Sequence, residues 1–294
     1  KRQISCYSHS LIYEKLNSVI YGHQSIKSAI DIACYDLASK SKKLPLYNYL
    51  GGKINKKIYT DYTVSLNDVD KMVEQAEQIV KKGFKIIKVK LGDNGKKDIE
   101  RIKHIRKCIG DDKQIRIDAN QGWNIEEAID TLKNIDKYNI EYCEEPINRD
   151  LSFRLNEVKE SSPVKIMADE SLFTSYDAEM MVHGNHCDMF NLKIGKHGGL
   201  FETKKIVSIA EENNIPMQVG GFIESKIIFT VNCHLGHTSN LIKFFDCDSP
   251  LFHELNPIVG GLEYKNDWEL SLPNSNGIGV DIEEDFLKNS TKII

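Results

Sequence analysis

The chain has 294 residues, of which 40% are hydrophobic and 28% are charged, and its formal net charge is −4 at pH 7. These values are ordinary for a globular protein with a large core, and without a basic patch they argue against a nucleic-acid partner. No apolar run approaches the ~20 residues of a membrane span, so no membrane partner is expected. Seven scattered cysteines without a Cys-x-x-Cys pair argue against a disulfide framework or a thiolate zinc site. They favour a reducing, cytoplasmic location.

The N-terminal segment, residues 1–58, contains one strong helical pattern. Apolar residues recur at helical spacing in "SIKSAIDIACYDLASKS" (25–41), and "LPLYNYLGG" (44–52) follows. Neither stretch belongs to the regular repeat that begins near residue 59. We therefore assign residues 1–58 to a region outside the central repeat.

Eight apolar, β-branched runs then recur along the chain, with centres about 24–28 residues apart. Amphipathic helical stretches, such as 68–83 and 125–139, lie between them. Strands that alternate with helices predict parallel β/α units, and eight near-equal units favour a closed (β/α)8-type barrel, an α/β fold. A doubly wound open sheet is the alternative, but no GxGxxG follows the first strand. The predicted strands are 59–66, 85–91, 114–120, 140–146, 164–171, 189–195, 215–221 and 241–248.

Residues 250–294 read as short strands and turns that end in "LPNSNGIGVDIEEDF" (272–286). This composition differs from that of the β/α repeat. We predict three parts: residues 1–58, a barrel domain at 59–249, and a C-terminal segment at 250–294 that returns to a second, smaller subdomain.

Polar residues end the predicted strands at matching intervals. Lys90 and Asp118 are 28 residues apart, Asp118 and Glu144 26, Glu144 and Asp169 25, and Asp169 and Lys193 24. Because barrel chemistry lies at the carboxyl ends of the strands, these side chains should converge on one rim. Lys88 lies two residues before Lys90 and therefore points to the same face of its strand.

Three carboxylates on adjacent strands repel one another unless a cation lies between them. Asp118, Glu144 and Asp169 offer only oxygen ligands. A hard divalent cation suits such a set, so Mg²⁺ is preferred, with Mn²⁺ as a second choice, over Zn²⁺. The alternative for each carboxylate is a helix N-cap in a strand-to-helix turn.

At this point the sequence resembles the enolase superfamily. The motifs Lys-x-Lys (88–90), Asp-x-Asn (118–120), Glu-x-Pro (144–146), Ala-Asp-Glu-Ser (168–171) and Asn-x-Lys (191–193) match its muconate-lactonizing subgroup in order and spacing. The resemblance runs from about residue 22 to the C-terminus. It implies a barrel with an α+β capping subdomain, whose N-terminal part is incomplete in this chain.

The resemblance also implies roles for these residues. Asp118, Glu144 and Asp169 would bind Mg²⁺, Lys90 and Lys193 would be the acid/base pair, and Lys88 would neutralise the substrate carboxylate. Removing a proton next to a carboxylate creates an enediolate, whose charge a metal and an ammonium group stabilise. A lysine needs a lowered pKa to act as a base at neutral pH, and a second ammonium group and the metal ion nearby would lower it. Two bases on opposite sides of one carbon can remove a proton from one face and return it to the other, which inverts the configuration. Elimination or cycloaddition needs only one base for the chemical step.

Asp246 and Asp248 end the eighth predicted strand, and an Asp-x-Asp there resembles the dipeptide epimerases of this subgroup, of the L-Ala-D/L-Glu epimerase type. The pair would hold the ammonium group of a dipeptide of the L-Ala-L-X kind. The rivals in the subgroup are N-succinylamino acid racemase, o-succinylbenzoate synthase and muconate cycloisomerase. Their substrates carry anionic distal groups, which the two aspartates would repel. A loop-starting aspartate pair before Ser249-Pro250 is the structural alternative.

The remaining predictions concern the side chain X and other classes of protein. Phe222 and Ile223, just after the seventh strand, could line an apolar or aromatic pocket for X. A histidine base is not expected, because strand six offers Lys193 and His197 falls in a loop. A Schiff-base lysine enzyme would not need the three carboxylates, and a non-catalytic binding protein would not need both lysines. A homo-oligomer stays open.

Overall fold

A computed structural model describes residues 5–290, so the predictions for residues 1–4 and 291–294 lie outside the described residues. The chain begins with helices α1 (His9–Val19), α2 (Gln24–Ser41) and α3 (Leu46–Tyr49), which lead to a two-residue strand, β1 (Ile58–Tyr59). Helix α2 confirms the predicted helix at 25–41. It buries one face through Ile32 and Tyr35. Helix α1 was not predicted.

The centre of the molecule is an eight-stranded, all-parallel sheet whose strands pair in sequence order. The backbone N–H of Asp61 donates to the carbonyl of Phe245 at 3.2 Å, which joins the first strand to the last and closes the barrel. The strands are β2 (Tyr62–Val64), β3 (Ile86–Lys90), β4 (Gln114–Asp118), β5 (Ile140–Glu144), β6 (Ile166–Ala168), β7 (Met189–Leu192), β8 (Met217–Val219) and β9 (Ile242–Phe245).

Helices follow seven of these strands. Helix α4 buries Met72, Ala76 and Ile79, the apolar stripe at three- and four-residue spacing that its sequence contains. The helix predicted at 125–139 ends earlier, because a 3₁₀ turn follows it and Asn139 adopts a left-handed conformation. The helices are α4 (Val69–Lys81), α5 (Gly95–Ile109), α6 (Ile125–Ile135), α7 (Leu155–Ser161), α8 (Ser175–His183), α9 (Ile194–His197), α10 (Leu200–Glu212) and α11 (Lys226–Gly236).

After β9 the chain leaves the barrel through a 3₁₀ turn instead of an eighth outer helix. Strand β12 pairs antiparallel with β1 and β11, and β10 pairs with β13, so the C-terminal segment returns to the N-terminal one. The run predicted as one strand at 59–66 is therefore two, because β1 pairs with the C-terminal segment and β2 with the barrel. The elements are β10 (Ile258–Gly260), β11 (Glu263–Tyr264), β12 (Glu269–Ser271), β13 (Val280–Ile282) and α12 (Glu284–Lys288).

The core is continuous from the barrel to its outer helices. Four cysteines contribute to it as buried free thiols, as small apolar side chains do: Cys143, Cys187, Cys233 and Cys247. Among residues 5–290, no helix is both long and apolar enough to cross a membrane. Where the three predicted parts of the chain divide stays a prediction.

Candidate active site

The predicted rim residues stand side by side at the carboxyl ends of their strands. Lys90 of β3 is the register partner of Asp118 of β4, and Asp118 is the partner of Glu144 of β5. Asp169 follows β6 directly and Lys193 follows β7. The matched intervals in the sequence therefore correspond to one structural rim.

Asp118, Glu144 and Asp169, here called the carboxylate triad, are fully buried. The Nζ atom of Lys193 lies 2.5 Å from Oδ2 of Asp169 and 3.9 Å from Oε1 of Glu144. The Nζ atom of Lys90 lies 2.6 Å from Oδ2 of Asp118. Both predicted acid/base lysines thus contact the triad.

Lys88 and Lys90 share a face of β3 but lie at different depths. The side chain of Lys90 is 30% exposed, whereas that of Lys88 is 1% exposed. The Nζ atom of Lys88 lies 2.8 Å from Glu144 Oε2, 2.8 Å from Asp246 Oδ2 and 3.2 Å from Asp118 Oδ2. One buried ammonium group therefore joins the triad to Asp246, which follows β9.

The charges of the triad and the lysines act on one another's pKa values. Burial and the neighbouring Asp118 carboxylate raise the pKa of Glu144 to about 8. Burial opposes ionisation of Asp118 too, but the ammonium groups of Lys90 and Lys88 outweigh it and lower the pKa of Asp118 to about 2. Burial would lower the pKa of Lys193, but Asp169 and Glu144 outweigh it and raise that pKa.

The raised pKa of Lys193 has a direct geometric cause. Its ammonium group lies directly against carboxylates, which stabilise the charged form more than the other lysines destabilise it. A divalent cation among the same oxygens would compete with the lysines for them. The raised pKa of Glu144 marks a buried carboxylate that still lacks sufficient positive charge, so the all-oxygen donor set fits such a cation.

A second group of buried carboxylates lies at the seam of the barrel. One oxygen from each of Asp61, Asp246 and Asp248, here called the seam cluster, lies within 4.8 Å of the other two. Asp248 Oδ2 accepts a hydrogen bond from the backbone N–H of Thr63 at 2.7 Å. Burial and the neighbouring Asp246 carboxylate raise the pKa of Asp248 to about 7.

A cavity of about 480 Å³ is lined by Asp246 and Asp248 of the seam cluster and by the two lysines that contact the triad. This volume is within the range of small-molecule sites. Lys88 and the triad are buried and do not line it. Phe222 is 48% exposed and Ile223 82% exposed, and the Lys193 ammonium group lies 5.1 Å from the centre of the Phe222 ring. Six of the lining residues were predicted from sequence: Lys90, Lys193, Phe222, Ile223, Asp246 and Asp248.

Several contributing residues were missed. Lys196 is buried and its Nζ atom lies 2.5 Å from Oδ1 of Asp169, so a second lysine holds this carboxylate from the opposite side. Asn120 accepts a hydrogen bond from Lys90 at 3.0 Å and donates one to Glu170. The sequence carries a signal for both residues, since Lys196 lies three residues after a predicted catalytic lysine and Asn120 belongs to the Asp-x-Asn motif.

His197 was expected to lie in a loop, but it is the last residue of the short helix α9. One ring nitrogen accepts a hydrogen bond from the Lys193 backbone N–H, and the other lies 2.8 Å from the Phe173 carbonyl. Burial lowers the pKa of His197 to about 3. Both ring nitrogens are occupied by the backbone, so His197 supports the Lys193 segment and is no base.

The chain is similar to proteins of a known family. Residues 71–286 match the family model described as "Enolase C-terminal domain-like". A Cytophaga hutchinsonii protein named D-Ala-D/L-Ala epimerase is 44% identical over 97% of this chain and 77% of its own length. A Bacillus cereus protein named N-succinyl-L-Arg/Lys racemase is 30% identical over 95% of this chain and 75% of its own length.

A solved structure of a dipeptide epimerase from Cytophaga hutchinsonii, complexed with Mg and the dipeptide D-Ala-L-Val, superimposes with a TM-score of 0.95. It is 44% identical in sequence, and the match covers 97% of this chain and 77% of that chain. The chain therefore belongs to the enolase superfamily, through its enolase C-terminal domain-like family. It is an α/β barrel protein whose relatives include isomerases named as dipeptide epimerases.

Proposed function

We propose that this protein is a Mg²⁺-dependent dipeptide epimerase that inverts the α-carbon of the C-terminal residue. The observation that carries the proposal is the position of two lysines on opposite sides of one cavity. Lys90 ends β3 and Lys193 follows β7, four strands apart in a sheet of eight. Both line the cavity, together with Asp246 and Asp248.

The carboxylate triad is proposed to hold Mg²⁺ through Asp118, Glu144 and Asp169. The bound ion would supply a Lewis acid that stabilises negative charge on the substrate carboxylate. Mn²⁺, which accepts the same oxygen ligands, is a possible replacement. The D-Ala-L-Val complex of the Cytophaga relative contains Mg, which supports this assignment.

Lys90 and Lys193 are proposed to move the proton. The lysine that is neutral accepts the α-proton on one face of the carbon, and the charged lysine opposite donates a proton to the other face. The configuration inverts, and the two lysines exchange protonation states. Lys88 is proposed to supply a fixed positive charge beneath the reacting carboxylate. Its burial and its contacts with Asp118 and Glu144 suit that role better than proton transfer.

Asp246 and Asp248 are proposed to bind the free ammonium group of the dipeptide. A primary ammonium group donates hydrogen bonds to carboxylates, whereas an N-succinyl group would bring a further negative charge against them. This charge argument favours a dipeptide over the N-succinyl substrates named for the Bacillus cereus relative, and over o-succinylbenzoate and muconate chemistry.

Phe222 and Ile223 are proposed to contact the side chain of the epimerised residue and to favour an apolar or aromatic X. The predicted first residue is L-Ala. The name of the Cytophaga relative makes D-Ala the alternative to test. A cytoplasmic location and a homo-oligomer are predictions from the sequence alone.

Proton NMR in D₂O tests the proposal. The protein with Mg²⁺ is incubated with L-Ala-L-X and D-Ala-L-X dipeptides, in which X is Ala, Val, Leu, Phe or Glu. We expect loss of the α-proton signal of X, appearance of the other epimer, and abolition of both by EDTA. Exchange with N-succinylamino acids and with no dipeptide would contradict the proposal. It would make the protein a racemase and the aspartate pair a structural turn.

A further inference from the structure

The seam cluster contains one carboxylate that does not line the cavity. Asp61 lies directly before β2 and is fully buried, whereas Asp246 and Asp248 line the cavity. Its backbone N–H donates to the Phe245 carbonyl at the barrel seam. Asp61 is therefore fixed by the fold, within 4.8 Å of carboxylate oxygens of two aspartates that line the cavity.

The two oxygens of Asp61 have different surroundings. Oδ2 lies 2.9 Å from the Nη1 atom of Arg116. Oδ1 is buried, and within residues 5–290 no hydrogen-bond donor reaches it. A buried carboxylate oxygen without a donor is costly, so the cluster is arranged for additional positive charge or hydrogen-bond donors.

The cations near the seam cluster are shared with other carboxylates. Arg116 also pairs with Glu141 at 2.7 Å, and Lys88 divides its ammonium group between Asp246 and two members of the triad. Within the described part of the chain, no lysine or arginine forms an ion pair with Asp248. The cluster is therefore short of positive charge. Burial and the neighbouring Asp246 carboxylate raise the pKa of Asp61 well above its usual range, so this carboxyl group ionises fully only when a further cation lies nearby.

Building on the proposed function, we infer that Asp61 is a positioning residue that makes the cavity selective for a protonated amine. It does not touch the substrate. A carboxylate oxygen of Asp61 lies within 4.8 Å of one from Asp246 and one from Asp248. With an ammonium group bound, the negative charge of Asp61 strengthens the attraction of the cluster for a free ammonium group over an acylated nitrogen. Arg116 holds Asp61 in this position without neutralising the whole cluster.

The Asp61→Asn variant tests this role, because it removes the charge and keeps the shape and one oxygen for Arg116. We expect KM for the best free-amine dipeptide to rise roughly tenfold, with kcat within about twofold of the parent, as loss of one charged interaction predicts. The inhibition constant of the same dipeptide acetylated at nitrogen should not change. Asp61→Ser carries the same prediction if the asparagine variant does not fold.

The matched control is Glu141→Gln, which weakens the other ion pair of Arg116 outside the cavity. If Asp61→Asn raises KM no more than this control does, or weakens both ligands equally, Asp61 is only structural and the inference is overturned. A parent protein that epimerises no dipeptide would overturn the proposed function and this inference together. An active parent with an unresponsive Asp61 variant would overturn this inference alone.

Discussion

The barrel mouth contains two groups of three buried carboxylates that differ in their counter-charges. The triad of Asp118, Glu144 and Asp169 is contacted by four ammonium groups, from Lys88, Lys90, Lys193 and Lys196. The seam cluster of Asp61, Asp246 and Asp248 is contacted by Arg116 and by the shared Lys88.

This difference separates two tasks that the residue types alone would not separate. The cations that contact the triad are lysine ammonium groups. A divalent ion can displace these mobile groups from the carboxylates, and they can then transfer protons. The seam cluster is contacted mainly by Arg116, whose guanidinium group stays charged and in place. We therefore expect the triad to bind the metal ion and the seam cluster to bind an ammonium group.

Removal of the metal ion should have the largest effect. Chelation by EDTA should lower kcat at least 10³-fold, because the Lewis acid supplies several kcal/mol of charge stabilisation. Mg²⁺ at 100 times its Kd should stabilise the folded protein by about 2.7 kcal/mol. Activity assays and thermal unfolding with and without Mg²⁺ measure both.

Variants of the two groups then show which one binds the ion. The Mg²⁺-dependent rise in Tm should disappear in Asp169→Asn and persist in Asp248→Asn. If Asp248→Asn abolishes the rise, the seam cluster is the metal site and the comparison fails.

Asp248→Asn should have the next largest effect, on substrate affinity. Loss of a charged hydrogen bond to the ammonium group should raise KM for dipeptides roughly 10–100-fold, with a smaller change in kcat. Steady-state kinetics measure it, with the exposed Asp285→Asn as control. An unchanged KM would favour the alternative in which Asp246 and Asp248 only start a loop and do not bind substrate.

The pH dependence should be more gradual. The pKa of Asp248 is raised to about 7 by burial and by Asp246, so this carboxylate is charged only above that pH. As the pH falls below 7, kcat/KM should fall up to about tenfold per unit, and Asp248→Asn should lose this limb of the profile.

The same raised pKa has the opposite effect on folding. The unfolded state ionises Asp248 near pH 3.8, so the favourable contribution is complete below that pH and is lost as the pH rises through 7. Asp248→Asn should therefore stabilise the protein at pH 8 and not at pH 4. Denaturant unfolding at the two pH values measures this, and destabilisation of the variant at pH 8 would contradict the assigned direction.

Phe222→Ala should have the smallest effect. The ring is half-exposed, so its loss should reduce kcat/KM several-fold for dipeptides with an aromatic or branched X and leave X = Ala unaffected. The dipeptide panel measures the change, with the exposed Phe286→Ala as control. Equal losses for every dipeptide would show that Phe222 only orders Lys193.

Much of the barrel and its rim could be predicted from sequence, because strand spacing and the carboxyl-end rule place Lys90, Asp118 and Glu144 on one edge. Asp61 could not be predicted, since no motif surrounds it and its neighbours are set by closure of the seam. Arg116 does carry a signal. It lies two residues before Asp118, points to the same interior face, and as a buried charge requires a partner.

The termini were less predictable. Strand β1 pairs with β12, which is about 210 residues away in sequence. Only this pairing shows that β1 and β2 are separate strands. The depth of Lys88 also depends on tertiary contacts, since alternation places it on the face of Lys90 without showing that its ammonium group is buried.

The central claim is that Lys90 and Lys193 act on opposite faces of one carbon. The most direct measurement is α-proton exchange in D₂O of each epimer of the best dipeptide, with Lys90→Met and Lys193→Met. We expect neither variant to epimerise, and each to exchange the proton of one epimer only, the opposite one in the two variants. If both variants exchange the same epimer, or if either still inverts the carbon, the two-base account is contradicted.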